Sequence, residues 1–301
     1  MIGVSILGAK MATDNELKIG LALGGGGARG LAHIGVLKVL EREGIPVSCI
    51  AGTSMGGLIG ALSAYGLSSA EIEAETSGLG RRKNLLHLID IQFQTHRPGL
   101  IRGERIYRYL SDSLGENLEF ADLTKPLAVV AVDVNSGQEV VLTNGSVAIA
   151  IRATISVPAI FEPVELEDLM LVDGGILNNV PVDAGRNLGA DRIIAVDVLP
   201  NFGANQPGEP LVVEPLRHTF LPRVAQKTYD VITIMISAIT EKNLREHPPD
   251  ILIRPDLPND IGLFVGFKRA SEVIVAGEQA AEAALPQIQT LLKGDLVPEE
   301  E

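Results

Sequence analysis

Apolar positions along the chain switch between two periods. Lys18 to Leu23 (KIGLAL) is a short apolar run closed by four glycines, which reads as a buried strand. Over residues 30–43, Leu31, Ile34, Val36, Leu37, Val39 and Leu40 recur at helical spacings, and Gly44-Ile45-Pro46 supplies a helix stop. Val47–Ala51 reads as a second strand that runs through Gly52-Thr53-Ser54-Met55-Gly56 into another helix. A strand–helix–strand–helix order predicts an α/β fold with a largely parallel central sheet between helix layers.

Further on, Leu127–Val134 and Glu139–Thr143 read as strands joined by a hairpin at Asn135-Ser136-Gly137-Gln138. Leu169–Val172 is a strand that runs into Asp173-Gly174-Gly175. A helix is expected at Pro181–Leu188, strands at Arg192–Val198 and Ile251–Arg254, and a long alanine-rich helix at Lys268–Leu292. The Pro- and Gly-rich stretch 200–210 reads as a loop, not a domain boundary. No repeat or low-complexity tract is present, so residues 18–301 are expected to form a single domain. Residues 1–17 read as an N-terminal leader, expected to be disordered. MIGVSILGAKM has no basic residue ahead of its apolar stretch and no clear cleavage site, which argues against a secretory signal and for a cytoplasmic protein.

Residues 44–70 carry no charge, which raises the question of a membrane span. Pro46 stands near its start and Gly52, Gly56, Gly57, Gly60 and Gly66 punctuate it, so a buried strand, a tight turn and a buried helix fit better. The apolar run at 229–239 is too short to cross a bilayer. No transmembrane segment is expected.

Composition narrows the chemistry. A 46% hydrophobic and 21% charged chain is globular and long enough to bury a sizeable core. The single cysteine, Cys49, excludes an internal disulfide and a cysteine metal cage, and its apolar setting predicts an inert buried thiol. A formal net charge of -13 argues against nucleic acid and against an electrostatic hold on anionic lipid. Any transient contact with a membrane surface is therefore expected to be hydrophobic.

Three motifs carry candidate chemistry. Gly52-Thr53-Ser54-Met55-Gly56 is a G-x-S-x-G sequence between a predicted strand and a predicted helix. There the flanking glycines allow a sharp turn that lifts the Ser54 hydroxyl clear of the sheet. The following helix points its N-terminal dipole at any oxyanion formed there. Gly24-Gly25-Gly26-Gly27-Ala28-Arg29-Gly30 can aim several backbone N–H groups into one concavity, an anion nest or oxyanion hole. Arg29 either reinforces that nest or holds the loop, with loop support favoured. Gly26 is the position where a Cβ is expected to obstruct the approach and where φ > 0 is expected. Asp173-Gly174-Gly175 sets a carboxylate at the end of a strand, where open sheets place functional groups, although a plain Asp-Gly turn gives the same letters.

Gly25, Gly27 and Gly30 also spell the dinucleotide pattern G-x-G-x-x-G. That reading needs an acidic residue at the end of the second strand, where Ala51-Gly52-Thr53-Ser54 stands instead.

The chain resembles the bacterial patatin-like phospholipases through GGGGARG, GTSMG and DGG, with SVPAIFEPV, NNVPV and RIIAVDV around them. The likeness is close from Lys18 to Asp197 and looser through PDILIRPDL and the last helix. It implies a patatin-like three-layer sandwich and a Ser–Asp dyad acting on lipid or other esters. In that dyad Ser54 is the nucleophile and Asp173 its base, with oxyanion donors around Gly25, Gly26 and Gly27. Nothing suggests a metal or an organic cofactor. A histidine triad would have to draw on His218 or His247, neither of which sits at a strand end. His33 is expected to be packed, and His87 and His96 to be peripheral. Segment 84–101 is a candidate lid or a helix packed on the body. Two rival functions remain at this level, a regulatory protein acting through partner binding and a dinucleotide-binding protein.

Overall fold

A computed structural model describes residues 17–77, 101–115, 117–200, 223–258, 260–262 and 266–293. Residues 84–100 of the candidate lid (84–101), with His87 and His96, residues 1–16 of the leader, residues 201–210 of the Pro/Gly-rich loop and His218 lie outside them. Alternating strands and helices run β1 (Ile19–Leu23), α1 (Ala32–Arg42), β2 (Cys49–Thr53), α2 (Met55–Tyr65), α3 (Ser69–Ser77) and α4 (Glu104–Leu114). There follow β3 (Leu127–Asp133), β4 (Gln138–Leu142), α5 (Val147–Thr154), β5 (Val164–Leu166), β6 (Leu169–Asp173) and α6 (Val182–Asn187). The chain continues through β7 (Arg192–Val196), α7 (Arg223–Glu246), β8 (Ile251–Ile253) and α8 (Ala270–Leu292).

The eight-stranded sheet has the order β5-β6-β3-β2-β1-β7-β8, with β4 also on β3. Pairings from β3 through β8 along this path are parallel, and those of β4, β5 and β6 are antiparallel. Sequence order and the helix layers thus agree with the expected α/β class.

Strand alternation sorts side chains by size. Ile19, Leu21, Leu23, Ile50, Val129, Ile194 and Val196 face the main core, where they meet Leu37, Leu40, Ile59, Val273 and Ile288 of the helices. The opposite face carries Ala22, Ala51 and Ala128, packed against Val180, Val182 and Ala184 around α6. Small residues there let a short helix lie close to the strands. In the thicker layer, α1 and α8 cross at two glycines. A Cβ on Gly35 would lie 2.0 Å from the Ile274 carbonyl oxygen, and one on Gly277 would lie 2.0 Å from that of Ala32.

The register around β3 positions the site. Val129 and Val130 pair with β2 on one edge and β4 on the other, while Ala131 to Asp133 pair with β6 and β4. A strand residue has only two edges, so β2 and β6 share one edge of β3 and meet on it head-on. Thr53 stands opposite Val130, and Asp173 stands opposite Ala131, the next residue along. The aspartate therefore comes from an antiparallel strand approaching from the far side, not from the carboxyl edge of the parallel strands. The rule for open parallel sheets accounts for Ser54 but not for Asp173.

Candidate active site

Ser54 is the turn itself. Strand β2 starts at Cys49, two residues later than expected, and extends through Thr53, so the chain reverses at one residue. Ser54 takes φ 52° and ψ -122°, a backbone that L side chains rarely adopt. Glycines flank it because the strand and helix ends nearly touch. A Cβ on Gly52 would lie 2.5 Å from the Gly56 carbonyl oxygen, and one on Gly56 would lie 2.1 Å from that of Leu23. The Ser54 amide donates to Thr154 Oγ1 at 2.8 Å, and Thr154 donates onward to the Val130 carbonyl. Thr154 is the last residue of α5, and nothing in the sequence around it signals that role.

Asp173 closes β6 opposite the serine. Both side chains are almost fully buried and line one cleft, where the Ser54 hydroxyl helps to hold the Asp173 carboxyl down. The Gly175 amide donates to Asp173 Oδ1 at 2.8 Å, and the Asp173 amide donates to the Ser156 carbonyl at 3.0 Å. Gly174 is required by close approach, since a Cβ there would lie 2.4 Å from the Val130 carbonyl oxygen. Burial pushes the Asp173 carboxyl up to about 6, against the opposing pull of the Gly175 amide and the Ser54 hydroxyl. A carboxylate with that pKa is ionised at neutral pH and still able to accept a proton, which suits a general base.

The loop amides differ in what they have left to give. Gly24 donates to Val196 at 2.9 Å, Gly25 to Asn179 at 3.3 Å and Ala28 to Gly262 at 3.1 Å. No backbone carbonyl among the described residues takes the amides of Gly26 and Gly27. The expected trio around Gly25, Gly26 and Gly27 thus narrows to two unspent donors. The left-handed residue is Gly27, at φ 57°, and not Gly26, which is extended at φ 169°. At Gly26 the constraint is space, with Val198 Cγ2 2.8 Å from a built Cβ. Gly30 likewise faces Met55, whose Cγ would lie 2.4 Å from a Cβ.

Arg29 holds the loop. Its guanidinium donates to the carbonyls of Val198 at 2.6 Å and Pro258 at 2.9 Å, tying the glycine turn to the segments after β7 and β8. His33 is fully buried, with Nε2 2.7 Å from the Gly24 carbonyl oxygen, and burial lowers its pKa to about 4. It is a packed neutral ring, as expected. Cys49 is buried too, and burial pushes its thiol up.

Ser54, Asp173 and the loop glycines open onto one cleft with an apolar wall of Val157, Pro158, Ile176, Leu199, Ile232 and Ile236. Among the described residues no histidine lines it. His247 lies instead on a second, polar cavity with Glu139, Asp183 and Asn243. Asn179, which also lines the cleft, was not singled out by sequence reasoning. Its signal was the Asn178-Asn179 pair shortly after Asp173. No group of His, Cys, Asp and Glu side chains among the described residues could hold a metal ion.

The model of the patatin-like phospholipase family matches residues 21–185, a span that contains Ser54 and Asp173. The chain belongs to that family. An uncharacterized NTE family protein of Mycobacterium tuberculosis is 31% identical over 287 residues, covering 89% of this chain and 46% of that protein. The neuropathy target esterase sws of Drosophila melanogaster is 34% identical over 211 residues, 66% of this chain and 14% of the fly protein. This patatin-like chain thus spans less than half the length of either relative. Among solved structures, VipD from Legionella pneumophila has the same fold, with a TM-score of 0.58 at 14% identity over 91% of this chain and 67% of that one. No helix among the described residues is long and apolar enough to cross a membrane.

Proposed function

We propose that this patatin-like protein is a lipid acyl hydrolase that cleaves carboxylic esters through a Ser54 acyl-enzyme. The observation that carries the reading is the strained Ser54 set on one cleft beside a buried carboxylate, Asp173, whose pKa burial pushes up to about 6. Ser54 Oγ attacks the acyl carbon while its proton passes to Asp173, and the carbonyl oxygen becomes an oxyanion. The amides of Gly26 and Gly27 and the N-terminus of α2 face that charge. Collapse of the tetrahedral adduct breaks the ester bond, and the leaving alkoxide takes the proton from Asp173. Water then attacks the acyl-enzyme, gives its proton to Asp173, and Ser54 regains it as the acid departs.

The apolar cleft suits an acyl chain. Beside Ile232 and Ile236, the α7 residues Val231, Ile234 and Met235 are exposed, which supports hydrophobic contact with an uncharged lipid surface. A fluorophosphonate is expected to add one label to the wild type and none to Ser54→Ala, read by intact mass. Fatty acid release from zwitterionic vesicles should vanish in the same variant. A label on another serine, or release that survives Ser54→Ala, would refute the reading. A regulatory or dinucleotide-binding role has no comparable support, since the glycine loop runs directly against the serine.

A further inference from the structure

Asn179 grips one residue of the glycine loop at two points. Its backbone carbonyl accepts from the Gly25 amide at 3.3 Å, and its side-chain Nδ2 donates to the Gly25 carbonyl at 3.2 Å. Together the two bonds fix the orientation of both peptide planes that flank Gly25. The preceding plane is also held at its carbonyl, by His33 Nε2 on Gly24 at 2.7 Å. Glycine is required at position 25 by close approach, since a Cβ there would lie 2.7 Å from Asn179 Oδ1 and 2.9 Å from Ser54 Cβ.

The second plane joins the Gly25 carbonyl to the Gly26 amide. No cis peptide bond is present among the described residues, so the N–H of Gly26 points opposite to the carbonyl that Asn179 holds. That amide is one of the two unspent donors bordering the cleft. We infer that Asn179 is a positioning residue for the oxyanion donor, holding the Gly25 carbonyl so that the Gly26 N–H is aimed at the oxyanion on the acyl group of Ser54. Donation to a carbonyl also polarises its own peptide unit and strengthens the N–H at the other end. Asn179 follows Asp173 on the same short loop, so the base and the oxyanion donor are set by one segment. The Thr53 hydroxyl pins that segment by donating to the Asn178 carbonyl at 2.8 Å.

This inference rests on the ester-hydrolase reading, and its test separates the two. Asn179→Ala removes the side-chain donor and keeps the backbone grip. Asn179→Asp keeps the shape and puts an acceptor against the Gly25 carbonyl. With p-nitrophenyl butyrate, both variants are expected to lose on the order of 10²-fold in kcat, with KM changed less than about threefold. In Asn179→Ala the acid limb of the pH profile should stay near its wild-type position, because that change adds no charge beside Asp173. A merely structural role would instead scatter KM, that limb and thermal stability together. A crystal structure of the fluorophosphonate-treated wild type gives a reading that needs no variant. Its phosphoryl oxygen should accept from the Gly26 amide while Nδ2 still holds Gly25. Full kcat in a folded variant, or a phosphoryl oxygen turned away from Gly26, would overturn the role of Asn179 and leave the hydrolase reading standing. A wild type that neither hydrolyses the ester nor takes the label would overturn both.

Discussion

Replacing Asp173 by asparagine keeps the side-chain shape and removes a charge from a place where burial disfavours it. The carboxyl is pushed from its ordinary 3.8 up to about 6, net of the lowering influence of the Gly175 amide and the Ser54 hydroxyl. Because the folded value lies above the unfolded one, the associated stability is fully present below pH 3.8 and is lost as pH rises through 6. A shift of about 2 units at ~1.4 kcal/mol each amounts to about 3 kcal/mol. Asparagine never ionises, so the variant should be about 3 kcal/mol more stable than the wild type at pH 8 and nearly equal to it near pH ~3.5. In a melt at pH 8 this corresponds to a rise of about 6 °C. His33 works in the opposite sense, since its value is lowered to about 4 and its stability is lost as pH falls through that value. Both chains share it, so it cancels from the difference. Activity should move the other way, with kcat/KM down by at least about 10²-fold through loss of the general base. The wild-type kcat/KM should fall with acidification through about 6. Urea denaturation at the alkaline and acid ends of this range, paired with ester kinetics, checks both limbs. An asparagine variant no more stable at the alkaline end, or a stability gap that is the same at both ends, would refute the burial reasoning.

Gly26→Ala places a Cβ 2.8 Å from Val198 Cγ2, so the loop must shift, and kcat is expected to fall on the order of 10²-fold in a folded protein. Full kcat would remove Gly26 from the oxyanion site. His247→Ala is expected to leave kcat within a few-fold of wild type, because that ring lies on the polar cavity with Glu139 and Asp183. A variant as inactive as Ser54→Ala would bring a histidine back into the mechanism.

The local order of strands and helices was legible in the sequence because each depends on short-range pattern. Apolar runs closed by glycine gave β1 and β2, helical spacing gave α1, and the Asn135–Gln138 turn gave the hairpin of β3 and β4. The elbow could be read for the same reason, since the close approach between Gly52 and Gly56 acts between residues near each other in the chain. What each loop amide donates to could not be read that way. Val196, Asn179 and Gly262 take the amides of Gly24, Gly25 and Ala28 from far along the chain, and those bonds leave Gly26 and Gly27 as the loop amides with no backbone acceptor among the described residues. Nor does the sequence state the direction of β6. Only pairing along one edge of β3 makes β2 and β6 meet head-on, and that encounter sets Asp173 against Ser54 across 119 positions of chain, 173 − 54. Burial at that junction, a property of the packed layers, is what moves the carboxyl toward neutrality.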